Sequence, residues 1–69
     1  MKITNARIQA STGLGTKAEV WVQINGGEEK LLLRFYDDEL NFSFEEFIGL
    51  TEDEGHELFV KKDVAYLQS

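Results

Sequence analysis

The sequence predicts an α+β fold: a three-stranded antiparallel β-meander packed on one face by a short helix and a longer C-terminal helix. Three observations predict it. Apolar and polar residues alternate along the first half, a Gly-Gly pair divides two alternating segments, and two helix-capping sequences follow in the second half. Strands precede helices without β-α-β alternation, which favours this class over a parallel sheet. With 69 residues, we expect a single domain over residues 1–69.

The second and third strands are predicted to form a hairpin with Gly26 and Gly27 at its tip, because glycine adopts the positive φ angle of hairpin turns. One face then pairs apolar residues: Val22 with Leu31, Val20 with Leu33, and Ala18 with Phe35. The other face pairs Glu19 with Arg34, Trp21 with Leu32, and Gln23 with Lys30. A slip of one residue would destroy both patterns, so they specify the register.

The first strand, residues 2–10, has a weaker pattern. Pairing Ile8 with Val20 keeps the inner face apolar and places Arg7 opposite Trp21, where a cation–π contact is expected. Residues 11–16 are then a hairpin loop, and the strands follow the order 1-2-3.

The second half predicts two helices. Ser43 and Glu46 form a capping box for a helix of about two turns that Gly49 ends, and Phe42 and Phe47 form a hydrophobic staple. A second capping box over residues 51–54 begins a helix that extends to about Leu67.

The longer helix carries two apolar stripes on opposite sides. One contains Gly55, Leu58, Phe59, Ala65 and Tyr66, and the other contains Val60, Val64 and Leu67. A surface helix needs one such stripe. We therefore expect that the helix is sandwiched, that it bends near Lys62-Asp63, or that its second stripe contacts another chain.

Charge is strongly segregated along the chain. The net charge is -6, yet residues 37–60 contain no lysine or arginine and contribute -9. Two of these carboxylates, Glu46 and Glu54, serve as caps, and solvated helix faces commonly carry the others. The alternative is an acidic binding face for a basic protein surface, made of Asp37, Asp38, Glu39, Glu45, Glu52, Asp53 and Glu57.

In size and charge the chain resembles small acidic phage proteins that block nucleic-acid-binding proteins, although no motif carries this likeness. The likeness implies an inhibitor that binds a basic protein and that mimics or blocks nucleic-acid or nucleotide binding. Direct binding to nucleic acid or to a membrane is not expected of so acidic a chain.

The outer sheet face provides an alternative function. Its predicted aromatic and basic residues are Arg7, Trp21, Leu32, Arg34 and Tyr36. Tryptophan, tyrosine and arginine commonly anchor interfaces, so this face predicts a homodimeric scaffold or a small-ligand (nucleotide) binder. The structural explanation, given equal weight, is that a helix covers this face or that neighbouring long side chains shield Trp21.

Catalytic and metal sites are not predicted. The glycines of residues 13–17 are too close for a phosphate-binding loop, and a strand follows where such a loop needs a helix. Glu52 and His56 share a helix face but have no third metal ligand, and no serine lies beside a predictable base. We therefore expect no enzyme, cofactor or metal. Without cysteine or a long apolar segment, a cytoplasmic location is expected.

Overall fold

The computed structural model describes residues 1–13 and 15–68 and has the predicted α+β fold. Three strands, β1 (Ile3–Gln9), β2 (Ala18–Ile24) and β3 (Glu29–Phe35), form an antiparallel sheet in the order β1-β2-β3. A 3-10 turn (Phe44–Glu46) and a helix, α1 (Glu52–Leu67), follow. Leu14, which belongs to the predicted hairpin loop, and Ser69 lie outside the described residues.

The β2–β3 hairpin follows the predicted register only in its half distant from the turn. Val20 pairs with Leu33, as predicted, but Trp21 pairs with Leu31 instead of Leu32. The hairpin turns at Asn25 and Gly26, whose φ angles are 52° and 71°, one residue before the predicted tip. The register shift after Val20 leaves Leu32 as an extra residue of β3, which is a β-bulge.

The bulge corrects the predicted position of Leu32. Its side chain is 7% exposed and belongs to the core, so it does not lie on the outer face beside Trp21. Leu31 occupies that outer position instead. From Asn5 to Gln9 the β1–β2 register is confirmed, with Ile8 opposite Val20 and Arg7 opposite Trp21, and it shifts by one residue between Ile3 and Asn5.

The predicted short helix is a single 3-10 turn. Its start is the predicted one, because the Glu46 carboxylate accepts a hydrogen bond from the Ser43 N–H at 2.7 Å. The chain then returns to β1: the Ile3 N–H donates to the Leu50 carbonyl at 2.7 Å, and the Gly49 N–H donates to the Ile3 carbonyl at 2.9 Å. This pairing requires Gly49 to adopt a φ of 87°, which ends the turn before a second helical turn can form.

Helix α1 begins at the predicted capping box and runs beside β3 as one continuous helix. The Thr51 side chain accepts from the Glu54 N–H at 3.2 Å, while the Glu54 carboxylate accepts from the Thr51 N–H at 2.9 Å. Gly55 allows close packing, since a Cβ there would lie 2.9 Å from a methyl carbon of Leu32. The helix is continuous through Lys62 and Asp63.

The core lies between the inner face of the sheet and the segment that leads into α1. It consists of buried apolar residues from every strand and from the segment between β3 and α1: Ile3, Ala18, Val20, Val22, Leu32, Phe35, Leu40, Phe42 and Phe47. Leu58 and Phe59 of α1 pack against this cluster. The second stripe, Val60, Val64 and Leu67, stays exposed, so the chain does not sandwich α1.

Candidate functional site

The predicted acidic face is divided between the two ends of β3. Asp37, Asp38 and Glu39 form the turn that follows β3, beside the β1–β2 loop. Glu52, at the start of α1, instead contacts Lys30 at the beginning of β3, at 2.7 Å. Because β3 rises roughly 3.3 Å per residue, these two acidic groups are separated by roughly 20 Å. Asp37 and Glu52, both predicted for the acidic face, therefore lie at opposite ends of β3.

Two of the predicted acidic residues have internal hydrogen-bond or ion-pair partners. The Asp37 carboxylate accepts from the Ser11 N–H at 3.1 Å and from the Ser11 hydroxyl at 2.8 Å, and these bonds lower the pKa of Asp37. Glu52 is half-buried and paired with Lys30. Each of these two carboxylates ties a loop or helix to the sheet, so it is less available to a partner.

Four of the seven lysine and arginine side chains form ion pairs within the chain. Four pairs are formed, each with an N–O distance between 2.7 and 3.0 Å: Arg7–Glu29, Lys30–Glu52, Arg34–Glu19 and Lys62–Glu46. Five of the predicted acidic residues are exposed and have no ion pair within residues 1–13 and 15–68: Asp38, Glu39, Glu45, Asp53 and Glu57. The excess negative charge is therefore concentrated on the turn after β3, the 3-10 turn and α1.

Glu46 and Lys62 attach α1 to the 3-10 turn. The Lys62 ammonium lies 2.8 Å from the Glu46 carboxylate, donates to the Asn41 carbonyl at 2.6 Å, and stands 4.3 Å from the centre of the Phe42 ring. Partial burial raises the pKa of Glu46, but the hydrogen bonds from Lys62 and Ser43 outweigh that effect and lower it overall. This side of α1 is thus fully occupied by contacts within the chain.

The outer sheet face is covered by cross-strand ion pairs. Trp21 is half-buried there; its indole N–H donates to Glu19 at 3.2 Å, and the Arg7 guanidinium lies 5.8 Å from its ring centre. The hydrogen bond from Trp21, followed by that from Arg34, lowers the pKa of Glu19. Glu29 holds the pKa of Arg7 above its ordinary value. On this face Leu31 stands beside Trp21 in place of the predicted Leu32.

Tyr36 lies apart from Trp21, at the end of the sheet. It lines an open cavity of about 640 Å³ together with the acidic turn and the β1–β2 loop, and the Lys17 ammonium stands 4.9 Å from its ring centre. In that loop the Thr16 hydroxyl accepts from the N–H groups of Thr12 and Gly13, at 3.2 and 3.0 Å. These two N–H groups are therefore not directed at a phosphate.

His56 closes the exposed edge of β3. Its Nε2 lies 2.9 Å from the carbonyl oxygen of Leu32, the bulged residue. Since a carbonyl can only accept, Nε2 must carry the proton in this contact. Throughout the described part of the chain, no three His, Cys, Asp or Glu side chains form a group that would hold a metal ion. His56 thus has a structural role at the sheet edge.

The outward side of α1 carries a feature that the sequence analysis recognised only in part. At 100° per residue, the exposed stripe continues toward the N-terminus through two exposed carboxylates. The residues alternate in steps of four and three: Asp53, Glu57, Val60, Val64 and Leu67. This is the spacing of a heptad seam, which we call the α1 seam. The missed signal was the heptad spacing that joins the acidic residues to the apolar stripe.

Comparison with known proteins adds no relative, because no family model, curated protein or solved structure matches this chain. Within residues 1–13 and 15–68, none of the helices has the length and apolar character needed to cross a membrane.

Proposed function

We propose that the chain is a non-catalytic protein-binding module that uses its acidic surface to engage a basic site on a protein partner. The proposal is carried by the difference between the basic and the acidic side chains in how many are paired within the chain. Four of the seven arginine and lysine side chains are paired internally, whereas Asp38, Glu39, Glu45, Asp53 and Glu57 remain exposed and have no ion pair within residues 1–13 and 15–68. Such a surface attracts a basic partner and repels nucleic acid and anionic lipid.

Binding to a basic site would block whatever else that site recognises. Basic protein surfaces commonly bind phosphates, so inhibition of a nucleic-acid-binding or nucleotide-binding protein is the form of activity we favour. A cytoplasmic location belongs to the same proposal, because such partners are abundant there. A small acidic inhibitor of phage type would act in this way.

The proposal is tested by the salt dependence of binding. A partner captured from native lysate at low salt would be purified, and its affinity measured at about 50 mM and about 500 mM salt, where the Debye length falls below about 5 Å. We expect the affinity to decrease by at least about tenfold, or about 1.4 kcal/mol.

Charge reversal identifies the acidic group involved. Glu39→Lys tests the turn after β3 and Glu57→Lys tests α1, while Glu28→Lys is the matched control in the exposed turn between β2 and β3. We expect one of the first two to weaken binding more than the control. Equal effects of all three, or an affinity indifferent to salt, would refute the proposal.

The alternative function, a homodimeric scaffold or nucleotide binder at the outer sheet face, has less support. Both Arg7 and Arg34 are paired with carboxylates, which reduces their attraction for a phosphate. A change in Trp21 fluorescence on adding a nucleotide would favour this alternative, as would a dimer that depends on Trp21.

A further inference from the structure

We infer that the α1 seam binds an amphipathic helix of a protein partner, oriented antiparallel to α1, with apolar residues in its N-terminal half and lysine or arginine in its C-terminal half. This inference rests on the proposed function, since it specifies the kind of basic site that the acidic surface engages. It is carried by the exposure of the seam, its spacing and its division into a charged half and an apolar half.

The seam lies on the side of α1 opposite the protein body. Gly55 is buried against Leu32, and Phe59 and Lys62 contact the Phe42 ring, so these residues define the inward side. The seam residues lie within roughly 70° of the opposite direction on a helical wheel. Val60, Val64 and Leu67 are 56%, 44% and 72% exposed.

The spacing of the seam fits another helix. Residues separated alternately by four and three positions stay in line with a neighbouring helix, whose side chains fill the gaps between them. From Asp53 to Leu67 the seam covers two heptads, or roughly 21 Å at 1.5 Å per residue. An extended strand would find no matching backbone groups, because those of a helix are already paired internally.

The charge of the seam determines the chemistry of the partner. Asp53 and Glu57 occupy two seam positions in the N-terminal half, where a partner with apolar residues would leave their carboxylates without hydrogen bonds or counter-charges. Lysine or arginine opposite them satisfies both charges. Cations are also favoured near the C-terminus of a helix, so an antiparallel partner with a basic C-terminal half suits its own dipole as well.

A second copy of the chain fits the seam less well. In a parallel pair each residue meets its own copy, so Asp53 would face Asp53 and Glu57 would face Glu57. An antiparallel pair centred on the apolar residues avoids this but overlaps only from Val60 to Leu67. Three aliphatic side chains per copy cover a small part of the roughly 1,200–2,000 Å² that a stable complex buries.

The test uses synthetic peptides and the intact chain labelled with ¹⁵N. Each peptide has about 18 residues, roughly 27 Å as a helix. The first carries leucine at the seam-facing positions of its N-terminal half and lysine in its C-terminal half. The second reverses the order of the halves, and the third replaces lysine by glutamate. We expect the first to bind at least about tenfold more tightly than either control, with chemical-shift changes concentrated on the α1 seam.

Variants test whether the seam is responsible. Replacing Val60 and Val64 together by serine should abolish binding of the first peptide, whereas Phe44→Ser, at a side chain that is 50% exposed outside the seam, should not. Glu57→Lys should weaken the binding of the first peptide and strengthen the binding of the glutamate peptide. Because these side chains are exposed, the folded state can be verified from the unchanged spectrum of the sheet.

The outcomes separate this inference from the proposed function. Equal affinity for all three peptides, shift changes outside the seam, or no saturation up to about 1 mM peptide would overturn the inference. The proposed function would survive those results if its partner still bound with the expected salt dependence through Glu39. A peptide-free dimer at about 100 µM that the paired serine variant dissociates would identify a second copy as the occupant instead, and would also overturn the inference.

Discussion

The two faces of the sheet are stabilised by different interactions. On the inner face, Val20 and Val22 are completely buried, as is Phe47 of the segment that packs against it, and among the described residues no polar or charged residue is buried with them. On the outer face, Trp21 is half-buried beneath the ion pairs Arg7–Glu29 and Arg34–Glu19. Burial of apolar area stabilises strongly, whereas exposed ion pairs contribute little. We therefore expect stability to depend on the inner face, leaving the outer surfaces free to change with function.

The largest effect should come from Phe47→Ala. Phe47 is 0% exposed and its ring centre lies 5.5 Å from that of Phe42, so truncation leaves a cavity that costs about 3–5 kcal/mol. A domain of this size has roughly 3–10 kcal/mol of total stability, so the variant should be largely unfolded. Phe44→Ala removes the same ring from a half-exposed site in the adjacent turn. Urea unfolding should show a much smaller loss of unfolding free energy for Phe44→Ala than for Phe47→Ala. Comparable losses would contradict the claim that stability depends on the buried residues.

A smaller loss of folding stability is expected from Gly55→Leu, which places a bulky side chain where α1 packs closely against β3. Even a Cβ would lie 2.9 Å from Leu32, so the longer side chain must displace α1 or distort the core, at a cost of about 1–3 kcal/mol. Gly55→Ala combines a milder clash with the higher helix propensity of alanine, worth about 1 kcal/mol. The alanine variant should unfold close to wild type. If the leucine variant did so as well, α1 would not be packed against Leu32.

These residues also show what the sequence determines and what it leaves open. The alternation in β2 and β3 correctly predicted the Val20–Leu33 pair, but Leu31, Leu32 and Leu33 form an uninterrupted apolar run. A shift of one residue within that run places a leucine at the same positions, so the apolar–polar pattern cannot reveal the bulge. The position of the turn, set by the positive φ angles of Asn25 and Gly26, decides it.

The capping boxes were predicted more reliably than the helices that follow them. Ser43 and Thr51 both begin an element where expected, because capping depends on residues only three positions apart. The length of an element depends on tertiary contacts, and pairing of Gly49 and Leu50 with Ile3 shortened the first helix to one turn. Tertiary contacts likewise separate the acidic residues of the block 37–57, because Asp37 follows the end of β3 whereas Glu52 contacts Lys30 at its beginning.

The capping box of α1 predicts a moderate effect that depends on pH. Thr51→Ala should cost about 1 kcal/mol at neutral pH. The hydrogen bond from the Thr51 N–H lowers the pKa of Glu54, so the ionised carboxylate stabilises the folded state above its unfolded pKa. That contribution is lost as the pH falls below the ordinary carboxyl pKa of 4.5 and through the lower pKa of the folded state. In a plot of unfolding free energy against pH, Glu54→Gln should therefore reduce the decrease in stability at acidic pH. An unchanged decrease would contradict this role of Glu54.

The smallest effect is expected on the outer face, from the pair Arg7–Glu29. Both side chains are about half exposed, at 51% and 40%, so water and salt screen the attraction across the 2.7 Å contact. A double-mutant cycle with Arg7→Ala and Glu29→Ala should give a coupling energy smaller than the loss from Thr51→Ala, and raising the salt should reduce it further. A coupling that exceeded that loss and resisted salt would mean that the outer face contributes to folding as the inner face does. Trp21 would then be the centre of a second stabilising cluster, and the outer face would be less free to serve a partner.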